Sequence, residues 1–347
     1  MIEQSFVQEK KSPKKSLNEI IKKKDYKELS KHLEEGIQEY LNSDTFQNYL
    51  DFVASFPNYS QKNVRLLLAQ QPSARYVRGF QAWKKDGRTV KKGSKALYVY
   101  APYFKDKVDA EGNKVTDSNG EIVKETRFFL TPVFDVSQTT GEELPKPVYN
   151  LSEDMDAPLQ FAQTYKALNS LSPVEVAIDS IQGDANGYYD RKNKRIVLRE
   201  GLGEVMTIKV LLHELTHALL HSDSLSQFGD ESYRKQEFEA ESVAYIVSNH
   251  LGLDTSDYSF GYLSSWTNQG NEIEELTDSL EAITTQARSL IQRADELLTT
   301  VYTLEAPRNK FEERVAVARG MVLPEERKPR QTYTVEDPKV QHPTKTL

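Results

Sequence analysis

Leu211-Leu-His-Glu-Leu-Thr-His-Ala-Leu-Leu-His221 organises the reading of the whole sequence. On an α-helix, residues four apart stand one above the other. His213 and His217 can therefore reach one metal ion from one face. Glu214 sits one residue on and can reach a water on that ion rather than the ion itself. Zinc lowers the pKa of such a water to about 7, and a carboxylate can then take its proton. The pattern is short and does arise by chance. Here its flanks, Val210-Leu-Leu212 and Ala218-Leu-Leu220, are apolar, which puts the histidines on a core helix where an unpartnered polar group is costly. Glu214 is accordingly read as a general base in metal-assisted peptide hydrolysis.

A second helix, Gln236-Glu-Phe-Glu-Ala-Glu-Ser-Val-Ala-Tyr-Ile-Val, should supply the third ligand. Glu237 and Glu241 are four apart and share a face, and Glu239 points elsewhere. Glu237 is placed on the metal, and Glu241, one turn on, against the free ring N–H of a ligand histidine. His221 continues the stripe by another turn of about 5.4 Å, too far to join the same ion. It is read as an ordinary helix-end histidine, as is His250. His250, Tyr233, Tyr258 and Tyr262 stay open as groups that could steady an oxyanion.

Working outward, residues 157–265 read as helix (158–171), strands at 174–178 and 195–198, and the two helices above. Residues 271–304 form one long amphipathic helix with Leu276, Leu280, Ile283, Ala287 and Leu290 on its stripe. The polar, proline-bearing tail 323–347 reads as disordered. Upstream, a Lys-rich arm (residues 1–30) leads into helices. Ala96–Tyr103 and Thr126–Phe134 are rich in aromatic and β-branched residues and read as strands. The turn sequences between them suggest a projecting hairpin, and 141–147 reads as a linker. No internal repeat is read.

The chain has 347 residues, no cysteine and a net charge of -7. Cysteine-bound zinc and thiolate catalysis are excluded, so any metal site uses His, Asp or Glu. No apolar run is long enough to span a bilayer and no secretory leader is read, so a cytoplasmic protein is expected. The charge is uneven. Ser60 to Lys107 carries twelve Lys/Arg and two Asp, a basic block that suggests a local anionic partner. Arg75, Arg78, Lys84, Lys85, Arg88, Lys91, Lys92 and Lys95 are candidate phosphate contacts. Trp83, with Tyr76, Phe80, Tyr98, Tyr100 and Tyr103, supplies interleaved aromatics of the kind that stack bases of single strands.

His213-Glu-Leu-Thr-His217, the acidic string to Glu237 and Glu237-Phe-Glu-Ala-Glu241 resemble the zincin-like metallopeptidase domain of ArdC-type antirestriction proteins, LtrC-like proteins of conjugative elements included. In that family a Glu about twenty residues after the second His completes the site, which Glu237 matches, and an acidic residue four further on matches Glu241. Thr216 stands where the family often has Gly. Asn58–Leu68, Phe80–Trp83, Val90–Ala96 and Thr131–Val136 are similar to the family's N-terminal single-stranded-DNA-binding domain. The resemblance covers most of residues 40–260, not the arm or the long C-terminal helix, and the chain is expected to be α+β: a DNA-binding domain (1–145), a zincin-like domain (150–265) with bound zinc, and a long-helix extension (270–322). The resemblance also implies a role in plasmid conjugation or antirestriction, acting on single-stranded DNA and an unidentified protein substrate. Three rivals remain: a DNA-binding protein with a structural zinc, a regulatory protease cutting a DNA-bound repressor, and a scaffold built on helix 271–304.

Overall fold

The computed structural model describes residues 15–144, 158–224, 226, 230–256, 258 and 272–304. The N-terminal part opens with α1 (Leu17–Lys22) and α2 (Tyr26–Glu35), followed by a 3-10 turn, α3 (Ser43–Ser55) and α4 (Gln61–Gln70). Local chemistry sets these starts. Ser16 and Glu19 form a reciprocal capping box at α1, and the Asn42 side chain accepts from the Asp44 and Thr45 N–H groups at α3. The expected Lys-rich arm is thus helical from Leu17, with Ile20 and Ile21 buried. Residues 1–14 lie outside the described residues, as do the expected tail 323–347 and residues 145–157.

The strands follow: β1 (Val77–Arg78), α5 (Phe80–Lys85), β2 (Arg88–Val90), β3 (Leu97–Asp106), β4 (Lys124–Asp135) and β5 (Thr139–Gly141). Strands β3 and β4 pair antiparallel from Leu97↔Val133 to Asp106↔Lys124, with β1 on the far side of β4. One face of the hairpin base, Tyr98, Tyr100 and Leu130, packs under α1 and α2, while Leu97, Val99 and Val133 enter the main core. The expected linker begins as strand, because β5 pairs with β2. The hairpin end holds a repeat that the sequence reading missed. Val108-Asp-Ala-Glu-Gly-Asn-Lys-Val and Thr116-Asp-Ser-Asn-Gly-Glu-Ile-Val each turn on an Asp that accepts two backbone N–H bonds. Lys107, Val115 and Val123 close a ring of three backbone hydrogen bonds of 2.8–2.9 Å.

The second part holds α6 (Pro158–Asn169), β6 (Glu175–Asp179), β7 (Gly187–Asp190), β8 (Arg195–Arg199), α7 (Glu204–Leu220), α8 (Glu231–His250) and α9 (Glu272–Leu304). β8 lies between β6, which is parallel to it, and β7, which is antiparallel. β7 is therefore an edge strand, and it runs beside α7. Gly187 allows that approach: a Cβ there would stand 2.5 Å from Val210 Cγ1 and 3.1 Å from the Val197 carbonyl oxygen.

One core runs through both parts. α8 packs on α7, α3 and α9, and the apolar stripe of α9 (Leu276, Leu280, Ile283, Ala287, Leu290, Ile291, Ala294, Leu298) is buried against the rest of the chain. That stripe is used inside the molecule, which removes the basis for reading α9 as an external scaffold. Polar links cross the same boundary. Tyr49 Oη and Thr284 Oγ1 are 2.9 Å apart, Tyr245 and Asn249 donate to Asp51, and Arg288 donates to the Pro57 and Tyr59 carbonyls.

Candidate metal centre

α7 and α8 bring His213, His217 and Glu237 together. The two Nε2 atoms are 3.1 Å apart, and the Glu237 oxygens lie 3.4 Å from His213 Nε2 and 3.3 Å from His217 Nε2. Donors about 2.0–2.1 Å from a tetrahedral ion stand about 3.3 Å from one another. Each histidine Nε2 stands at about that spacing from the other and from a different Glu237 oxygen, so the three side chains converge on one point, and two imidazole nitrogens with a carboxylate suit zinc, manganese or cobalt. Helical spacing aligns the histidines, and burial of the α7–α8 seam brings the glutamate across to them.

Electrostatics agree. Burial alone would push the His213 imidazole down, but the hydrogen-bonded carboxylates of Glu237 and Glu241 outweigh it and lift the group to about 10. Burial also acts on Glu237, yet hydrogen bonds from both histidines hold its carboxyl far below the usual range. His217 is lowered by burial. A proton on His213 and a cation among the three donors are alternative ways to neutralise Glu237.

Around this triad the structure places the other site candidates. Glu241 Oε2 is 3.2 Å from His213 Nδ1, on the ring edge away from the ligating nitrogen. Glu214 is 8% exposed, and burial pushes its carboxyl up to about 7 against an opposing hydrogen bond from the Tyr189 N–H of β7. It borders a cleft of about 270 Å³ with Asn186, Gly187, Met206, Lys209, Val210, His213, Glu241 and Tyr258. Of the four open candidates, Tyr258 reaches this cleft. His250 does not, being held by Asp295 at 3.1 Å and facing the Ala54 carbonyl. Tyr233 is not among the cleft residues, and Tyr262 lies outside the described residues.

His221 departs from the expected plain helix-end residue. It is buried, with Nδ1 3.1 Å from His217 Nδ1 and Nε2 3.0 Å from Glu239 Oε2. Glu239 does point away from the metal ligands, as expected, but its partner is a buried histidine rather than solvent.

Two family models match the chain. Residues 19–136 match the N-terminal domain of anti-restriction factor ArdC, and residues 175–251 match the M78 peptidase, IrrE N-terminal-like domain. The chain thus carries a segment similar to an ArdC N-terminal domain, followed by one similar to an IrrE N-terminal domain. An uncharacterized Bacillus anthracis protein is 31% identical over 311 residues, 80% of this chain and 52% of that protein. DNA primase TraC of Escherichia coli is 30% identical over 203 residues, 52% of this chain and 13% of the primase. The chain thus spans about half the length of the first relative and a smaller share of the second. Crystal structures of the antirestriction ArdC protein from plasmid R388 align with TM-scores of 0.44 (metal-free) and 0.41 (Mn(II)-bound), at 23% and 22% identity. They cover 71% and 70% of this chain and 86% and 85% of theirs. The IrrE-like segment begins at β6 and closes with α8, so it contains all the candidate metal ligands, and α9 lies beyond it.

Within residues 19–136 the basic candidates divide. Arg75, Lys84, Lys85, Lys91, Lys92 and Lys95 are exposed. Arg78 is held by Asp86 at 2.6 Å, and Arg88 bonds Thr139 Oγ1 and the Gly141 and Glu142 carbonyls across the β2–β5 pair. Trp83 is a correction: it is fully buried and its indole N–H donates to the Phe134 carbonyl at 2.8 Å, so it offers no face to a base. Tyr98 and Tyr100 are likewise packed under the N-terminal helices. Phe80, half exposed at the start of α5 with Lys84 one turn on, is the aromatic best placed among these cations.

Proposed function

We propose that the chain is a zinc-dependent peptidase joined to a single-stranded-DNA-binding module, serving antirestriction or conjugation in the cytoplasm. The observation that carries the peptidase reading is the His213–His217–Glu237 triangle with the buried Glu214 carboxyl beside it. A bound ion would acidify a water and polarise a peptide carbonyl. Glu214, poised near neutrality, is suited to take a proton and return it to the leaving amine. Glu241 holds the His213 ring through its Nδ1–H. The strand β7 stands at the sheet edge with its Gly187 on the cleft, a position that suits an extended peptide. The match to an anti-restriction factor's N-terminal domain, the primase relative and the exposed lysines of α5 and the turn into β3 support the DNA partner. No helix among the described residues is long and apolar enough to cross a membrane.

The test is metal content by mass spectrometry on wild-type and His217→Ala protein, then cleavage of a mixture of unstructured peptides. About one ion per chain, lost on substitution, is expected. Glu214→Gln should keep the ion and lose cleavage. A folded wild-type protein that takes up neither zinc nor manganese sinks the peptidase reading.

A further inference from the structure

We propose that His221, Glu239 and Ser279 form a hydrogen-bonded chain that fixes the tautomer and ring orientation of His217, so that α9 helps to set the metal affinity of a site two helices away. The inference rests on the metal reading above and adds residues to it.

The chain runs inward from α9. Ser279 Oγ–H donates to Glu239 Oε1 at 2.6 Å. The other Glu239 oxygen accepts from His221 Nε2–H at 3.0 Å. With its Nε2–H on that carboxylate, His221 presents a lone pair at Nδ1, and this accepts from His217 Nδ1–H at 3.1 Å. His217 is then left with its lone pair on Nε2, the nitrogen that faces His213 and Glu237. Each link follows from the donor and acceptor balance of the one before it. All four side chains are buried, where a polar group left without a partner is costly. The two histidines are therefore oriented differently: His213 by the Glu241 carboxylate directly, and His217 by a carboxylate one imidazole further out. Lys235, 4.0 Å from Glu239 Oε1, adds positive charge at the outer end.

The alternative is a buried polar network that pins α7, α8 and α9 together and leaves the metal site untouched. Two measurements on the full chain separate these. The first is the zinc dissociation constant, by chelator competition, for wild type, His221→Phe, Glu239→Gln, Ser279→Ala and a control, Thr284→Ala. Thr284 is equally buried on α9 but bonds Tyr49. The second is the exchangeable imidazole N–H signal of His217, shifted by the paramagnetic ion in cobalt-loaded protein. Outer partners of this kind change metal affinity by about 10–100-fold. We expect losses in that range for His221→Phe and Glu239→Gln, a smaller loss for Ser279→Ala, and none for Thr284→Ala. The His217 signal should shift in Glu239→Gln while that of His213 stays in place. Folded variants that bind zinc within twofold of wild type overturn the proposal, as does Thr284→Ala weakening zinc as much as Ser279→Ala. A wild-type protein that binds no zinc or cobalt removes the metal reading and this proposal with it.

Discussion

Gly187→Ala is a sharp test of how the cleft is built. An added methyl would stand 2.5 Å from Val210 Cγ1, 3.1 Å from the Val197 carbonyl oxygen and 3.3 Å from Glu214 Cγ. Carbon atoms normally settle about 3.5–4.0 Å apart, so the contact with Val210 is short by about 1 Å. Val210 cannot simply swing aside, because a helical valine holds one χ1 rotamer about 90% of the time. The Val197 carbonyl belongs to the paired strand β8. The backbone of β7 must therefore lift off α7, and overpacking of this kind costs about 1–3 kcal/mol. Urea denaturation followed by circular dichroism reads the loss directly. Val210→Ala removes the blocking methyl, so the double variant should be less destabilised than the two single losses combined, with a coupling of about 0.5–3 kcal/mol. Lifting β7 also draws the Tyr189 N–H away from Glu214. That bond opposes the upward push of burial, so the carboxyl should rise beyond about 7. The acid limb of any peptidase pH profile should then move to higher pH. A Gly187→Ala protein within about 0.5 kcal/mol of wild type, or strict additivity with Val210→Ala, would refute the reasoning.

Other outcomes follow from the same geometry. Metal-stripped protein should lose stability as pH rises. His213 is raised from 6.5 to about 10 in the folded state, so its contribution is complete below about 6.5 and is lost as pH climbs through 10. Urea midpoints at pH 7 and 9.5 check this, and His213→Gln should flatten the change. Trp83→Ala should cost about 3–5 kcal/mol of stability, as a buried large-to-small change. Phe80→Ala should instead leave folding nearly intact and weaken single-stranded DNA binding by about 1–3 kcal/mol, read by fluorescence anisotropy. Removing Lys84 and Lys85 together should lower the salt dependence of that binding by about 1.4 in log–log slope.

The cluster of candidate metal ligands was legible because its pattern is local. His213 and His217 are one helical turn apart, and so are Glu237 and Glu241, and no knowledge of the fold is needed to see that each pair shares a face. His221 and Glu239 follow the same spacing but carry meaning only once α7, α8 and α9 are packed, since Ser279 comes from forty residues further on. A signal did exist: a histidine following His217 at the same interval, on a helix with apolar flanks, is costly to bury without a partner. Trp83 failed for a different reason. Aromatic residues among lysines look alike whether they face solvent or the core, and only the Phe134 carbonyl beneath the indole tells them apart. The eight-residue repeat at the hairpin end was overlooked because Asp and Gly at that period read as two unrelated turns.

The segments matched by the two families are not the units that hold the molecule together. The IrrE-like segment ends at Leu251, yet its α8 buries one side against α9 and another against α3, which belongs to the ArdC-type segment. His250 closes the arrangement by bridging Asp295 on α9 and Ala54 on α3. Cutting the chain to residues 175–251 would take Phe46 from Phe238, Asp51 from Tyr245 and Asn249, and Ser279 from Glu239. Buried side chains of this size contribute about 1.5–3 kcal/mol each, while a whole domain is stable by only about 5–15 kcal/mol. Such a fragment is expected to be insoluble or unfolded even though it holds every candidate metal ligand. A chain ending at Leu304 should keep the fold and the ion. Circular dichroism and bound metal on the two truncations decide the matter: a folded, metal-binding 175–251 fragment would show that α9 and α3 are accessory after all.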